Sequence, residues 1–413
     1  MAQLKEAGSR ARHFKAQKVP LPEPPFLVPA VLEALKDSKF SNLVTVVPAE
    51  ADSYCAEEAA AYEARTGKMA TIVTNDSDLL IQASGAQTRV MLLKGLTRSR
   101  APAPIKVEAN VFFPAQLAAT AGVDSLIPTA FFMNEDYHLS FDAAVAKAKR
   151  TDVSNNPYFT AFRKGLEKPQ YSISNLASPV IKSLQQMDPR IAELAHQLMP
   201  GFPRSLNEPA NVFLPPLIED VGKFSAWVAA RDIREAAYRM LMSSTHNAHY
   251  VAEWTRRGTT AHYDSCPLIP GWRGKLLELK GILEGVRAYP GLELATAAQR
   301  FNYTAMYYTV KAFADRDQVL SRGNILRVLT KGAQRSREEL HALAMCQAAI
   351  YSLRILKQLL VLEKAMNGLD EEFAALEDLL REAPPLAALF EKRAIDSEDF
   401  WRDLAGGLRD TVV

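Results

Sequence analysis

The chain is poor in cysteine and lacks the short motifs by which several enzyme classes are recognised. Its three cysteines, Cys55, Cys266 and Cys346, are an odd number without Cys-x-x-Cys spacing, so a reducing compartment is favoured over a disulfide framework. A Gly-rich phosphate loop, a Rossmann glycine fingerprint and a Ser-His-Asp order are also missing. The sequence therefore gives no ground for a P-loop enzyme, a Rossmann dehydrogenase or a serine hydrolase.

Charge of one sign and long apolar runs are likewise scarce. The formal net charge is only +2, which argues against a protein that binds polyanions over its whole surface. No apolar stretch opens the sequence as a secretory signal would, so we expect an intracellular protein, nuclear or cytoplasmic. The most apolar segment, 340–366, is interrupted by charged and amide residues. We expect it to be a buried helix, too polar for a membrane span.

The order of predicted elements indicates an α/β layer followed by a mostly α-helical region. With 48% apolar residues the chain is long enough for two domains, which we place at residues 1–152 and 153–413. Helices and strands alternate in the first part. The predicted elements there are helices 27–35 and 50–65 and strands 43–47, 69–74 and 89–93.

The second predicted domain contains one long helix, and its aromatic and histidine clusters are interpreted as structural. Ser336 and Glu339 form a capping-box pattern, and Asn367-Gly368 marks the matching helix end. Aromatic residues at helical spacing are expected in the core rather than as a base-stacking surface, and the histidines as surface or packed residues rather than zinc ligands. These residues are Phe301, Tyr303, Tyr307 and Tyr308, and His246, His249 and His262.

Two acid-x-acid steps follow strand-like apolar runs. Glu50 and Asp52 come after the predicted strand 43–47, and Asp76 and Asp78 after the predicted strand 69–74. Because functional groups collect at the carboxyl ends of parallel strands, four carboxylates are expected to crowd together there. Hard divalent cations, Mg²⁺ or Mn²⁺, would neutralise such a group.

Each acidic step also has an interpretation without chemistry. Asn75-Asp76-Ser77-Asp78 would make an ordinary turn. Glu50 and Asp52 would complement the positive end of the helix that follows them. The order of the two steps, with a helix between them, favours a metal site over two unrelated turns.

The motif-bearing segments resemble the XPG/flap-endonuclease superfamily of PIN-like nucleases, and most of all its Asteroid-type branch. The resemblance rests on VVPAEADSYCAEEA and TIVTNDSDLLI, supported by PPFLVPAVLEAL upstream and VAEWTRRG downstream. It is richest over residues 20–150 and extends more weakly to about 260. It implies a PIN-like, three-layer α/β domain whose carboxylates hold two divalent ions for phosphodiester hydrolysis.

The resemblance also implies which residues would form the site. Glu50, Asp52, Asp76 and Asp78 match the family's catalytic and metal-binding positions, and Asp124 resembles a further metal ligand in a Gly-x-Asp step. A turn or helix-cap aspartate is the open alternative for Asp124. Segment 89–106 carries five bases without an acid. As contacts to a nucleic-acid backbone we name Arg89, Lys94, Arg98 and Arg100, with a solvated loop as the ordinary alternative.

The chain departs from the family pattern in two places. The family's N-terminal segment, with an inner strand and two further aspartates, has no counterpart in this sequence. Either the gene model starts late, or a partner completes the sheet, or the fold has degenerated. Segment 125–136, where the family has a Gly-x-Gly turn for duplex phosphates, contains no glycine and ends in Glu135-Asp136.

These departures define the expected function. The chain is expected to be related to structure-specific nucleases acting on branched or single-stranded DNA or RNA, with little or no activity of its own. The alternative is a non-catalytic interaction protein on a relic nuclease fold, with a protein partner completing the sheet or binding the helical region.

Overall fold

The structure is a computed structural model of the 413-residue chain. It describes residues 25–49, 51–82, 87–98, 107–136, 138–166, 176–199, 202, 208–245, 250–258, 260–266, 271–289, 292, 295–331 and 336–386. The chain divides into two compact units. We call Ala49–Gln170 the insert unit, and Met1–Pro48 together with Tyr171–Val413 the host unit. Helices dominate and the sheets are small.

The insert unit joins a small sheet to a series of helices. Its described elements are α2 (Ala51–Thr66), β1 (Thr71–Thr74), α3 (Leu79–Gln82), β2 (Arg89–Leu92), β3 (Thr97–Arg98), β4 (Val107–Glu108), β5 (Val111–Phe112), α4 (Pro114–Ala121), α5 (Ile127–Glu135), α6 (Phe141–Arg150) and α7 (Pro157–Leu166). β1 pairs parallel with β2, and β2 pairs antiparallel with β5, which gives the strand order β1-β2-β5. β3 and β4 form a separate antiparallel pair.

One face of the β1-β2-β5 sheet is covered by helices. The buried side chains of Ile72 in β1 and Val90 in β2 pack with Ala56 and Ala59 of α2 and with Leu79 of α3. Small alanines let the helix approach the strands closely. The local α/β layer predicted from the sequence is thus present over these residues, and it positions the turn after β1.

The host unit is mainly helical. Its described elements are α1 (Leu27–Lys36), α8 (Ser178–Gln186), α9 (Pro189–Leu198), β6 (Ala210–Phe213), α10 (Arg231–Thr245), β7 (Val251–Arg257), β8 (Thr260–Cys266), α11 (Trp272–Ala288), α12 (Ala297–Ala314), α13 (Arg322–Lys331), α14 (Arg337–Asn367) and α15 (Glu371–Arg381). α14 is the long helix expected from the capping signals: Ser336 Oγ accepts from the Glu339 amide, and Gly368 at φ 79° ends it.

Helix α14 lies inside the host unit. By length and composition it is long and apolar enough to cross a membrane, contrary to the expectation drawn from its polar residues, and it is the one such helix among the described residues. However, 78% of its most apolar window is buried within the protein, as in the core helix of a globular unit. The expected burial of Phe301, Tyr303 and Tyr308 in the same core is confirmed.

Three features differ from the sequence-based expectations. The predicted strand 43–47 is not a strand: Val46 instead exchanges two 2.8 Å hydrogen bonds between its backbone and the Gln185 side-chain amide. Residues 251–257 and 260–266, expected in the mostly α-helical region, instead form the antiparallel strands β7 and β8. β8 belongs to a three-stranded sheet, β6-β7-β8, within the region predicted as helical.

The compact units also differ from the predicted domains 1–152 and 153–413. Residues 26–48 belong to the host unit because Phe26 and Val46 are buried in its core. The second boundary lies at Gln170 rather than at residue 152, since α7 packs with α5 and α6 through Phe159 and Phe131.

Candidate functional site

The second acid-x-acid step forms a tight turn at the carboxyl end of β1. The Asp76 amide donates to Thr74 Oγ1 at 2.9 Å, and the Asp78 amide donates to Asp76 Oδ1 at 2.9 Å. The chain then enters α3, whose first amides bond back to the carbonyls of Ser77 and Asp78. Asp76 therefore serves as a turn residue, as the interpretation without chemistry expects, while its side chain remains exposed.

The two carboxylates of this turn repel each other. Partial burial raises the pKa of Asp78, and the charge of Asp76 raises it further. Both effects disfavour the charged carboxylate, and a bound cation would relieve the second of them. The turn itself is explained without a metal ion, by the hydrogen bonds from its amides to Thr74 Oγ1 and Asp76 Oδ1.

The first acid-x-acid step is described only in part. Asp52 lies half-buried in the first turn of α2, where a carboxylate complements the helix dipole. Glu50 lies outside the described residues. Partial burial of the sulfur and then the charge of Asp52 raise the pKa of the Cys55 thiol, one turn along the helix. Cys55 itself is exposed.

Asp124 lies in a loop beyond the end of α4. Gly122 ends α4 at φ 65°, with its amide bonded to the Ala118 and Ala119 carbonyls. A Cβ atom at Gly122 would lie 3.0 Å from the Lys149 ammonium. Asp124 is exposed beyond this glycine. The Gly-x-Asp step is thus a helix end with an exposed acid.

The described acids do not make a metal cage by themselves. Among the residues that the structure describes, no group of three or more His, Cys, Asp or Glu side chains could hold a metal ion. Asp76 and Asp78 are neighbours, but neither Asp52 nor Asp124 joins them in such a group. A two-ion site needs more ligands than one pair of carboxylates supplies. The described residues therefore do not fit a two-ion catalytic site, and we derive no hydrolytic step through one.

The predicted backbone contacts differ in their surroundings. Arg89 is half-buried and its Nε donates to Thr71 Oγ1 at 2.6 Å, across the β1-β2 pair. Lys94 is exposed in a short 3-10 turn, Leu93–Gly95. The backbone of Arg98 lies in β3, while its side chain and all of Arg100 lie outside the described residues. Only Lys94 is thus seen as an exposed cation.

Sequence reasoning missed a row of aromatic side chains on the host-unit sheet. Phe213 of β6 pairs in register with Trp254 of β7, and Trp254 pairs with Tyr263 of β8. Directly paired residues share a face of a sheet, so the three rings lie side by side. The signal in the sequence was Arg257-Gly258, a hairpin turn between two segments of β-prone residues.

The histidine cluster of the sequence is described only in part. His262 is half-exposed and its Nε2 lies 3.7 Å from Asp264, while Cys266 is buried. His246 and His249 lie outside the described residues. The described members form no metal group.

Comparison with known proteins identifies a family. Neither the curated proteins nor the solved structures include one that matches the chain. A family model described as XPG domain containing matches residues 23–268, which is more than half of the chain and includes both acid-x-acid steps, Asp124 and the aromatic row. The chain therefore belongs to the XPG domain-containing, nuclease-like family.

Proposed function

We propose that the chain is an Asteroid-type member of this family, related to divalent-metal-dependent nucleases but with little or no hydrolytic activity of its own. The family match supports the relationship to nucleases. The observation that carries the low activity is the acid turn at the end of β1: it presents two carboxylates, and no third ligand joins them among the described residues.

Mg²⁺ or Mn²⁺ is the proposed ion, and branched or single-stranded DNA or RNA the proposed substrate class. Oxygen-only donors favour these hard cations. Glu50, Asp52, Asp76, Asp78 and Asp124 are the proposed ligands. Among the described ligands only Asp76 and Asp78 form a close pair, so binding of the metal ion is expected to be weak. Lys94, which is exposed just beyond the carboxyl end of β2, is the proposed contact to a phosphate.

Calorimetric titration of Mn²⁺ tests the site. We expect weak, saturable binding that is lost in the double variant Asp76→Ala/Asp78→Ala. The matched control is Glu58→Ala. Glu58 is an exposed acid of α2, and it forms a surface ion pair with Arg65 at 3.4 Å. The control is expected to bind as the parent does. If the parent, shown to be folded, takes up no Mn²⁺, the metal proposal is wrong.

A nuclease assay on forked and flap DNA with the same proteins tests the activity. Cleavage by the parent should not exceed that by the double variant. Strong Mg²⁺-dependent cleavage that disappears in the double variant, but not in Glu58→Ala, would refute the low activity and make the chain a working nuclease.

A second candidate function, a non-catalytic interaction protein, is favoured by the open side of the insert-unit sheet. In the order β1-β2-β5, β1 has no second neighbour among the described strands. Val73, Met91 and Val111 pair in one row across the sheet, and Val73 and Val111 are exposed. An open edge beside exposed apolar side chains is suited to a strand from a protein partner. If the chain does not bind Mn²⁺, the non-catalytic interaction role remains as its proposed function.

A further inference from the structure

Helix α1 of the host unit has its charged side chains turned toward the core of that unit. Glu33 pairs with Arg354 of the buried helix α14, and Lys36 Nζ donates to the Met187 carbonyl at 3.0 Å. Pro29, on the same side of α1, is buried. A surface helix normally keeps its charged side chains on the side that faces water. In α1 both charges are instead used for contacts with the interior.

The opposite side of α1 is apolar and exposed. Residues three and four positions apart share one face of a helix, which groups Leu27, Val28 and Val31. Leu27 is 43% exposed, Val28 54% and Val31 48%. We call these three side chains the outer face of α1. A helix that is apolar on the side away from its core packing, as well as on the packed side, is suited to being covered by another segment.

The described chain ends beside this helix. The Leu386 amide donates to Glu33 Oε2 at 2.7 Å, and Arg354 contacts both Glu33 and the Pro384 carbonyl. Residues 387–413 lie outside the described residues and follow directly from this anchored point. The ten residues of α1 extend over about 15 Å, and residues 387–413 span more than that even at about 1.5 Å per residue. The C-terminal segment is therefore long enough to reach the whole outer face.

The sequence of residues 387–413 supplies apolar side chains for such a contact. Phe400, Trp401 and Leu404, which we call the C-terminal cluster, have a spacing typical of one face of a helix. The segment before α1 is less suited, because its residues 20–24, PLPEP, alternate with proline. Proline interrupts a helix and so disfavours packing along α1.

A second copy of the chain fits the outer face less well than a segment of the same chain. One face of this helix, about 15 Å long and about 10 Å wide, offers far less than the roughly 800 Å² per partner that a stable protein interface buries. A segment of the same molecule does not lose the translational and rotational freedom that association costs. A small apolar face is therefore sufficient for an intramolecular contact.

We propose that residues 387–413 bind the outer face of α1 in the same molecule, with the C-terminal cluster against that face. The contact needs neither a metal ion nor a nucleic acid, so its test is independent of the proposed metal site. A protein that engages the outer face of α1 has to compete with this segment.

Photo-cross-linking in the full chain tests the contact. Val31→p-benzoylphenylalanine places a photoreactive group on the outer face, and Val28→p-benzoylphenylalanine gives a second position. Both side chains are about half exposed, so the larger residue can be accommodated. After irradiation, mass spectrometry should find cross-links to residues 387–413 of the same molecule from both positions. The same replacement of Val319, which is 55% exposed in the host unit, is the control and should give no cross-link to this segment.

Substitutions in the C-terminal cluster show whether its apolar side chains make the contact. In the Val31 photoreactive protein, Trp401→Asp/Leu404→Asp should lower the yield of the cross-link by about tenfold or more, because burying one large apolar side chain favours a contact by at least that factor. Arg402→Asp changes the net charge by the same amount but leaves the cluster intact. This matched control should cross-link as the parent does.

Thermal unfolding shows that each of these proteins is folded before the cross-links are compared. Cross-links from the outer face to residues 1–24, or between two molecules, would overturn the proposal and assign the face to those occupants. The proposal is also wrong if the folded photoreactive proteins give no cross-link, or if Trp401→Asp/Leu404→Asp leaves the yield unchanged.

Discussion

At the scale of single residues, His341 is the most unusual group of the host unit. Its side chain is fully buried, and neither ring nitrogen has a hydrogen-bond partner in the part of the chain that the structure describes. Its Nδ1 lies 3.8 Å from Glu219 Oε2, and its ring meets Phe224 and Phe313 edge-on. Burial, with the nearby charges of Arg256 and Lys223, lowers the pKa of His341 to about 4.

This lowered pKa makes the stability of the host unit sensitive to acid. In the unfolded chain a histidine binds its proton below about pH 6.5, but the folded protein does not protonate His341 until about pH 4. The unfolded state therefore binds more protons between these values, and stability falls as the pH falls through this window. For one such histidine the loss is on the order of 3 kcal/mol. Burial also lowers the pKa of His196 to about 4, so His196 adds to the same dependence of stability on pH.

The variant His341→Leu should flatten this dependence. Leucine removes two buried nitrogens without hydrogen-bond partners, so stability at pH 7 should be equal or higher, and the loss between pH 6.5 and 4 should be smaller. Urea unfolding over that pH range measures both effects. His262→Leu, at a half-exposed site, is the control and should follow the parent. A slope in His341→Leu as steep as in the parent would contradict the assignment.

The acid turn shows what a sequence can predict at this scale. Asp76 and Asp78 follow a strand directly, and turn chemistry acts over two or three residues, so their neighbourhood was predictable. The distances from Asp52 and Asp124 to this turn depend on how α2 and α4 pack. No local signal in the sequence encodes that packing.

At the scale of elements, helices with local end signals were predicted best. Helix α14 begins and ends at its predicted caps. Strand β7 was missed because buried Glu253 and Arg256 interrupt its apolar pattern. Their charges are compensated by Arg234 and Glu219, which are distant in sequence. A pattern based on polarity cannot recognise a strand whose buried residues are charged.

Two glycines in helical contexts should respond oppositely to the same substitution. Gly122 ends α4 at a positive φ, and a Cβ there would crowd the Lys149 side chain, so Gly122→Ala should destabilise the insert unit by about 1 kcal/mol. Gly281 lies within α11 with open space around it. Gly281→Ala should stabilise the host unit by about 0.5–1 kcal/mol.

Hydrogen exchange under mild denaturant measures both changes, because it follows the amides of each unit separately. Equal effects of the two substitutions would show that the backbone at Gly122 is not in the left-handed conformation.

At the scale of the whole molecule, the division of the chain was the least predictable feature. Phe26 stacks on Tyr351 at 4.8 Å and meets Trp227 edge-on at 6.3 Å. Glu33 of α1 pairs with Arg354 of α14 and accepts from the Leu386 amide at 2.7 Å. These contacts join residues more than two hundred positions apart. The order of elements, in contrast, suggested that 26–48 continue into the α/β layer.

The substitution Phe26→Ala distinguishes the two divisions of the chain. Phe26 is buried, and the loss of such a ring costs about 3–5 kcal/mol. Its backbone, at φ 66°, is equally strained with alanine, so the variant removes packing without relieving strain. If 26–48 belong to the host unit, the amides of α14 should lose protection against hydrogen exchange, while those of β1 and β2 keep theirs.

Leu27→Ala is the matched control. The Leu27 side chain, next to Phe26 in sequence, is exposed, so this substitution should not change the hydrogen-exchange protection of either set of amides. Loss of protection in β1 and β2 instead would support the domain division first drawn from the sequence. A host-unit response would show that the segment before the acid-x-acid motifs is part of the helical core, and that a truncation removing it destabilises the host unit and not only the α/β layer.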